Sequence, residues 1–443
     1  MSILKSPDQK VGAFFYLRFM TMEELHALFL EHPTICTDTR KITENCLFFA
    51  LKGPNFNGNA FAQQALSKGA AYAIIDEEEF KTSDRFILCD DVLQTLQELA
   101  IYHRNHCKAK VISLTGSNGK TTTKELINAV ISKKYNTIAT QGNLNNHIGV
   151  PLTLLSIKEN TEIAIVEMGA NHKKEIESLC NIAQPDFGYI TNFGKAHLEG
   201  FGGIAGVIQG KSELYDYLTS HNKYVFFNAD DDIQKEKLAS YPKKVGFSTS
   251  DHHFYNIKFL GVAPYVSLEA EGVQINTQLV GKYNFPNCCA AILMGKYFNV
   301  PLEDIKSAIE GYQPQNNRSQ ILTKNGFDIV LDAYNANPTS MKAALENFTL
   351  MEGQRKTLII GDMFELGSTA AEEHQSIADY AKELNFDEVY LVGENFFGTT
   401  TTLNKFKTFE DLKKHLSKHA LEKGALLIKG SRGMALERVL DIL

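Results

Sequence analysis

Residues 114–123 read LTGSNGKTTT. The Gly-Lys-Thr near its end is how a phosphate-binding loop closes, yet such loops usually open on a glycine where this chain has Leu114. The flanks bear on whether it is a variant loop or a chance match. Upstream, VISL (111–114) is a short apolar run of strand character; downstream, 121–133 places Leu126, Ile127, Val130 and Ile131 on one helical face. Strand, glycine turn and helix are the context a phosphate loop requires, although the same junction also occurs as a plain connection. In that context the N–H groups of Gly116 to Lys120 can point into a concavity at the positive helix end. Lys120 would reach the β- and γ-phosphates and Thr121 would offer its hydroxyl to Mg²⁺, within a nucleotide-binding stretch running from Thr115 through Ser117, Asn118 and Gly119 to Thr122.

Outward from the loop, short apolar runs alternate with amphipathic ones, the signature of a parallel sheet wrapped by helices. EIAIVEM (162–168), FGYITN (187–192) and KYVFFN (223–228) read as further buried strands. Between 251 and 280 the pattern changes to apolar–polar alternation, as in a half-solvated antiparallel sheet, and a helix follows over 286–298. YQPQNNR (312–318) is polar and helix-breaking, a linker or hinge. Beyond it FDIVLDAY, KTLIIGDM, EVYLVGE and ALLIKGS are four more strands, with helices expected at 339–349, 370–384 and 409–421. Residues 22–100 form another region with strands at 45–53 and 70–76 and a helix near 60–68. The expected fold is therefore α/β with three domains, 1–107, 108–315 and 316–443. The central one combines a mostly parallel sheet with a small antiparallel sheet.

Bulk properties narrow the function. A chain of 443 residues, 44% hydrophobic and 22% charged, is long enough for several cores and too apolar for extended disorder. A net charge of −7 argues against nucleic acid or an acidic membrane as partner, because such binders need excess Lys and Arg. Seven cysteines without a CxxC pair, two of them adjacent at Cys288 and Cys289 in an apolar helix, read as reduced core residues of a cytoplasmic protein. No apolar run approaches the ~18–20 residues of a membrane helix. Arg18 interrupts the short apolar VGAFFYLRFM (11–20), so no export signal is expected, and the first 18 or so residues read as a peripheral extension.

Further candidate groups sit at strand ends. Glu167 closes the apolar strand AIVEM, where a carboxylate can hold Mg²⁺, although a solvated strand-end acid is the commoner case. His197 lies in TNFGKAHLEGFG and Lys211 in the helical GIAGVIQGKSELYDYL. DAYNANPTSM (332–341), GDMFELG (361–367) and KGSRG (429–433) each follow an apolar strand, and so should cluster at the ligand-binding edge of a second sheet. Asp332 suits a ribose hydroxyl or a metal-bound water, and Lys429 and Arg432 a carboxylate or phosphate.

Taken together, TGSNGKTT, DAYNANPTSM, GDMFELG and KGSRGM resemble the Mur ligase family, ATP-dependent amino-acid ligases of peptidoglycan synthesis, over about residues 25–443. In that family the loop lacks its outer glycine. The last three motifs resemble the branch that joins D-alanyl-D-alanine to a UDP-N-acetylmuramoyl-tripeptide. The resemblance implies an N-terminal UDP-binding domain, a central ATPase domain and a C-terminal Rossmann-like domain for the dipeptide. Asp38, Thr39, Arg40, Asn57 and Gly58, in DTRKI and LKGPNFNGNAF, would touch the UDP substrate. Lys120, His197 and Lys211 would be catalytic; Thr121, Glu167, His197 and a carbamylated Lys211 would hold two Mg²⁺ ions. Asn284, Asn287, Arg318, Asp332 and Tyr334 would contact ATP, and Asn335, Asn337, Lys429, Ser431 and Arg432 the incoming groups. A cytoplasmic monomer is expected. Tyr283 in GKYNFPN stands where the family usually has His, and Gly203 where it has Ser. The absence of a DNPR stretch argues against the branch that adds the third amino acid. A folylpolyglutamate synthase would share the loop but not DAYNANP, and a nucleotide-driven switch would need neither acceptor.

Overall fold

The computed structural model describes residues 20–314, 317–351 and 355–443. The expected N-terminal extension, and positions 315 and 316 of the expected hinge, lie outside the described residues. The chain divides into two compact units, ending and starting at His103 and Arg104.

The first unit holds a four-stranded parallel sheet in the order Ile35–Cys36, Leu47–Phe49, Tyr72–Ile75, Phe86–Leu88. Its core is small and aliphatic–aromatic, with Phe48, Ala65, Ile75 and Phe86 among the buried side chains. The expected single strand over 45–53 is broken. Leu47–Phe49 joins the main sheet, while Lys52–Gly53 turns back on Phe56–Asn57 as a separate antiparallel pair. Gly58 follows that turn, where an added Cβ would fall 2.2 Å from the Leu51 carbonyl oxygen.

The second unit contains two sheets. In the first, the strand Lys110–Thr115 sits between Phe187–Ile190 on one side and Ile163–Glu167 on the other, all parallel. The chain leaves Lys110–Thr115 toward one edge and later returns across it to the other, so the carboxyl end of this strand lies at a topological switch point. The alternating segment 255–280 is not a separate sheet. Tyr255 and Asn256 pair in parallel with Phe247 and Ser248, and the strand then continues into two antiparallel hairpins, giving nine strands in one continuous order. Helix Phe285–Tyr297 packs on helix Lys120–Ile131 through the same core as Ile112 and Leu114. It is buried on nearly every side, which explains its lack of a polar stripe; Cys288 and Cys289 are fully buried, and all seven cysteines are free.

The other sheet has six strands, Gln320–Lys324, Phe327–Asp332, Ala425–Lys429, Lys356–Gly361, Glu388–Val392 and Asn404–Phe406, all parallel except the first. Insertion of the last strand in sequence, Ala425–Lys429, between Phe327–Asp332 and Lys356–Gly361 brings the three motif-bearing strand ends side by side. Their central residues, 329–331, 358–360 and 425–428, are buried and apolar, as in strands covered on both faces.

Candidate functional site

The stretch after Lys110–Thr115 is held by the loop that follows Phe187–Ile190. Thr191 Oγ1 and Asn192 Nδ2 donate to the Asn118 carbonyl at 2.6 and 3.1 Å, Asn192 Oδ1 accepts the Asn118 N–H at 3.1 Å, and Ser117 Oγ donates to the Gly194 carbonyl at 2.8 Å. The clamp explains one glycine: Gly116 has φ +142°, and a Cβ there would lie 2.0 Å from Thr191 Oγ1. Gly119, φ +78°, begins the helix, and its Cβ would lie 2.6 Å from Asn287 Oδ1. Asn287 also accepts from Thr123 Oγ1 at 3.0 Å and donates to Asn284 Oδ1 at 2.8 Å, so both asparagines brace the loop from the neighbouring helix. Leu114 is wholly buried and paired on both sides, opposite Glu167 and Tyr189. The place of the missing glycine is therefore a strand position.

Lys120 Nζ folds over its own loop, donating to the carbonyls of Gly116 at 2.7 Å and Ser117 at 3.3 Å. Burial lowers its pKa against the opposing pull of Glu167. Glu167 is 1% exposed; Oε1 accepts from Asn145 Nδ2 at 2.7 Å, while Oε2 is buried with no hydrogen-bond partner among the described residues. An unpaired carboxylate oxygen in such a place is costly and calls for a cation. Thr121, at the start of the helix, is also buried.

Lys211 lies wholly buried in helix Ile204–Ser220, its Nζ donating to the Ala170 carbonyl at 3.0 Å and sitting 5.0 Å over the Phe201 ring. Burial, then the charge of Lys120, drive its pKa well below the ordinary lysine value. Two residues on, Glu213 accepts the N–H groups of Lys174 and Glu177 at 2.6 and 3.0 Å. Thus one helix ties down Ala170, Lys174 and Glu177 in the segment that follows Glu167.

The second sheet delivers its motif loops to the same place. Asn337 caps helix Pro338–Thr349 and donates through Nδ2 to Asn118 Oδ1 at 2.6 Å; Lys195 pairs with Glu373 at 2.5 Å. His197 Nδ1 is hydrogen-bonded to Glu365, whose carboxyl is held below the usual range by that bond. Beside the linker, Tyr283 and Ser319 hydroxyls are 2.8 Å apart, the Ser319 N–H donates to Asp332 at 3.1 Å, and Asp332 pairs with buried Lys429 at 2.5 Å. The Arg318 guanidinium stacks 3.5 Å over Tyr334.

A cavity of about 750 Å³ lies between the two sheets, lined on one side by residues 117–122, Glu167 and His197 and on the other by Arg318, Asp332, Asn337, Glu365 and Lys429. Asn284, Asn287, Tyr334 and Asn335 also line it. Thr115 and Gly116 do not line it, and the buried Thr115 hydroxyl has no hydrogen-bond partner among the described residues. Lys211 stands behind the wall at Ala170. Ser431 Oγ is taken by the Phe364 N–H at 3.0 Å, and Arg432 turns outward to Glu437 at 3.0 Å. Among the described residues no three His, Cys, Asp or Glu side chains gather tightly enough to hold a metal alone. In the first unit, Arg40 clamps Asp38, whose carboxyl is held down at about 2. There, too, the Thr39 carbonyl accepts from Lys68 at 2.8 Å, and Asn57 spans Asn59 and Glu77. The clamp of Thr191 and Asn192, and the roles of Asn145 and Glu365, escaped the sequence reading, since each acts across a fold that local pattern does not encode.

Three family models match in succession: "Mur ligase family, catalytic domain" over 33–111, "Mur ligase middle domain" over 114–295 and "Mur ligase, glutamate ligase domain" over 317–432. The UDP-N-acetylmuramoyl-tripeptide–D-alanyl-D-alanine ligase of Bacillus subtilis (strain 168) is 34% identical over 421 residues, spanning 91% of this chain and 92% of its own. The chain belongs to the Mur ligase family. The ligase of the same name from Escherichia coli (strain K12) is 33% identical over 95% of both chains. Among solved Mur ligases, MurF from Acinetobacter baumannii superposes with a TM-score of 0.81 at 30% identity, covering 92% of each chain. MurF ligase from Thermotoga maritima in complex with ADP gives 0.81 at 26% identity, over 93% of this chain and 97% of that one. The middle-domain match begins at Leu114 itself.

Proposed function

We propose that this chain is the ATP-dependent ligase that joins D-alanyl-D-alanine to UDP-N-acetylmuramoyl-tripeptide, releasing ADP and phosphate. The observation that carries this reading is one cavity lined both by the phosphate loop and by residues of the three motifs of the last sheet, Lys429 alone from the third. It offers an electrophile-generating half and an acceptor half at one place. The relatives' shared name supplies the substrate pair.

A carboxylate does not condense with an amine in water, so it must first be activated. The tripeptide's terminal carboxylate would attack the γ-phosphorus of ATP, giving an acyl phosphate and ADP; the dipeptide amine would then attack the acyl carbon, expelling phosphate and losing a proton. Lys120 would exchange its loop carbonyls for phosphate oxygens, and the amides of 116–120 would hold the same charge. Walls from two sheets would limit the water that reaches the acyl phosphate.

Magnesium fits the residues present. The unpartnered Oε2 of Glu167, with Thr121 and His197, would hold it, and phosphate oxygens and water would fill the coordination that no protein cluster completes. When bound, it would neutralise charge on the transferring phosphoryl group. Lys211 suits carbamylation: burial favours its uncharged amine, and an uncharged amine can add to carbon dioxide with loss of one proton, turning into an anionic ligand for a second ion. The first unit, with Asp38–Arg40 and Asn57–Gly58, would hold the uridine nucleotide. We place the reaction in the cytoplasm, where ATP is available; no helix among the described residues is long and apolar enough to cross a membrane.

The test is phosphate release with UDP-linked tripeptide and D-alanyl-D-alanine supplied singly and together. Release only with both is expected, and Lys120→Ala should abolish it. Release indifferent to either substrate would overturn the assignment.

A further inference from the structure

Where the last sheet meets the phosphate-loop domain, two non-glycine residues face each other in left-handed backbone conformations: His197 at φ +53° and Glu365 at φ +62°. Such conformations are costly and persist only where the surroundings impose them. The Glu365 carbonyl accepts the N–H of Glu199 at 3.2 Å, and its carboxylate accepts Nδ1–H of His197. The two residues before it are equally fixed. Met363 N–H donates to Nε2 of wholly buried His374 at 2.9 Å, and Phe364 N–H donates to Ser431 Oγ at 3.0 Å. His374 is itself oriented by donating Nδ1–H to the Ala370 carbonyl at 2.6 Å. Three consecutive residues are thus held so that Glu365, whose side chain is 49% exposed and serves no core, reaches one imidazole nitrogen.

We propose that Glu365 is a positioning residue for the cation site: by accepting Nδ1–H of His197 it fixes the tautomer that leaves the Nε2 lone pair for a metal. This rests on reading His197 as a magnesium ligand. Magnesium favours oxygen donors, so an imidazole ligand gains from a carboxylate partner that raises its basicity. Because Glu365 comes from the last sheet and His197 from the central one, the cation site that His197 serves is complete only while the two sheets are together. Capture of the acceptor-binding domain and metal loading then become one event. A simple ion pair across the cleft would hold the sheets together without affecting metal affinity.

The experiment counts bound Mn²⁺ by electron paramagnetic resonance on the full-length protein with ADP, in wild type, Glu365→Gln, Glu365→Ala and His197→Ala. His197→Ala should lose one class of bound Mn²⁺. Both Glu365 variants should weaken that class roughly 10- to 100-fold and spare the other. In turnover, the Mg²⁺ needed for half-maximal rate should rise, while KM for D-alanyl-D-alanine at saturating Mg²⁺ stays unchanged. Wild-type Mn²⁺ binding in both Glu365 variants, with the class lost in His197→Ala, would overturn the role of Glu365 alone. Retention of both classes in His197→Ala would overturn the ligand reading beneath it.

Discussion

Replacing Lys211 by Met separates the chemistry of a buried amine from its shape. The wild-type side chain is wholly buried, has one carbonyl partner at 3.0 Å and lies near Lys120, so its folded pKa falls well below 10.5. In the unfolded chain the same amine titrates near its ordinary value. Between the two values the unfolded state binds the extra proton, so stability rises with pH; below the folded value and above the unfolded one there is no slope. One proton corresponds to at most about 1.4 kcal/mol per pH unit. With a urea m-value of about 3 kcal/mol/M, the unfolding midpoint should move by up to about 0.5 M per pH unit relative to Lys211→Met. The measurement is urea unfolding by circular dichroism between pH 7 and 10 in carbon-dioxide-free buffer, because a carbamate would remove the titrating group. Midpoints that stay parallel in the two proteins across this range would refute the neutral amine, and with it the basis for carbamylation. In activity, Lys211→Ala should be inactive and partly rescued by short carboxylic acids.

Other perturbations test the scaffold. Gly116→Ala should weaken ADP binding more than tenfold by calorimetry, and Thr191→Ala should restore only part of it, because the clash with Oγ1 goes but the φ of +142° stays. Glu213→Ala leaves two helix-start N–H groups without their carboxylate, and should cost about 2 kcal/mol in urea unfolding together with reduced metal affinity. Tyr283→Phe removes the hydroxyl contact to Ser319; a loss of about 1 kcal/mol should appear as a roughly fivefold rise in KM for ATP, with kcat little changed.

Much of the architecture was legible because strands covered on both faces must be apolar throughout, so VISL, EIAIVEM and ALLIKGS announce themselves and their polar ends mark the sheet edge. The same logic found the three motifs whose residues line the cavity with Lys120 and Glu167, the third through Lys429 alone. What escaped was short or relational. Thr137–Ala139 and Asn404–Phe406 span three residues each, too few for a period to show. Gln320–Lys324 is a polar edge strand that merges with the linker. The antiparallel segment was seen, but its union with the parallel sheet depends on two residue pairs, Phe247 with Tyr255 and Ser248 with Asn256. The depth of Lys211 was hidden too, since a lysine on an amphipathic helix ordinarily faces solvent.

Leu114 bears on how quickly the site can be filled. Its carbonyl takes the N–H of Met168 at 2.8 Å, and Thr115 closes the strand, so ladder bonding continues to within one residue of Gly116. An outer glycine would have left slack to be taken up when a nucleotide arrives. Here the amides are already strung between a rigid ladder and a helix, so little chain entropy remains to be lost on capture, and encounter rather than loop rearrangement should limit the association rate.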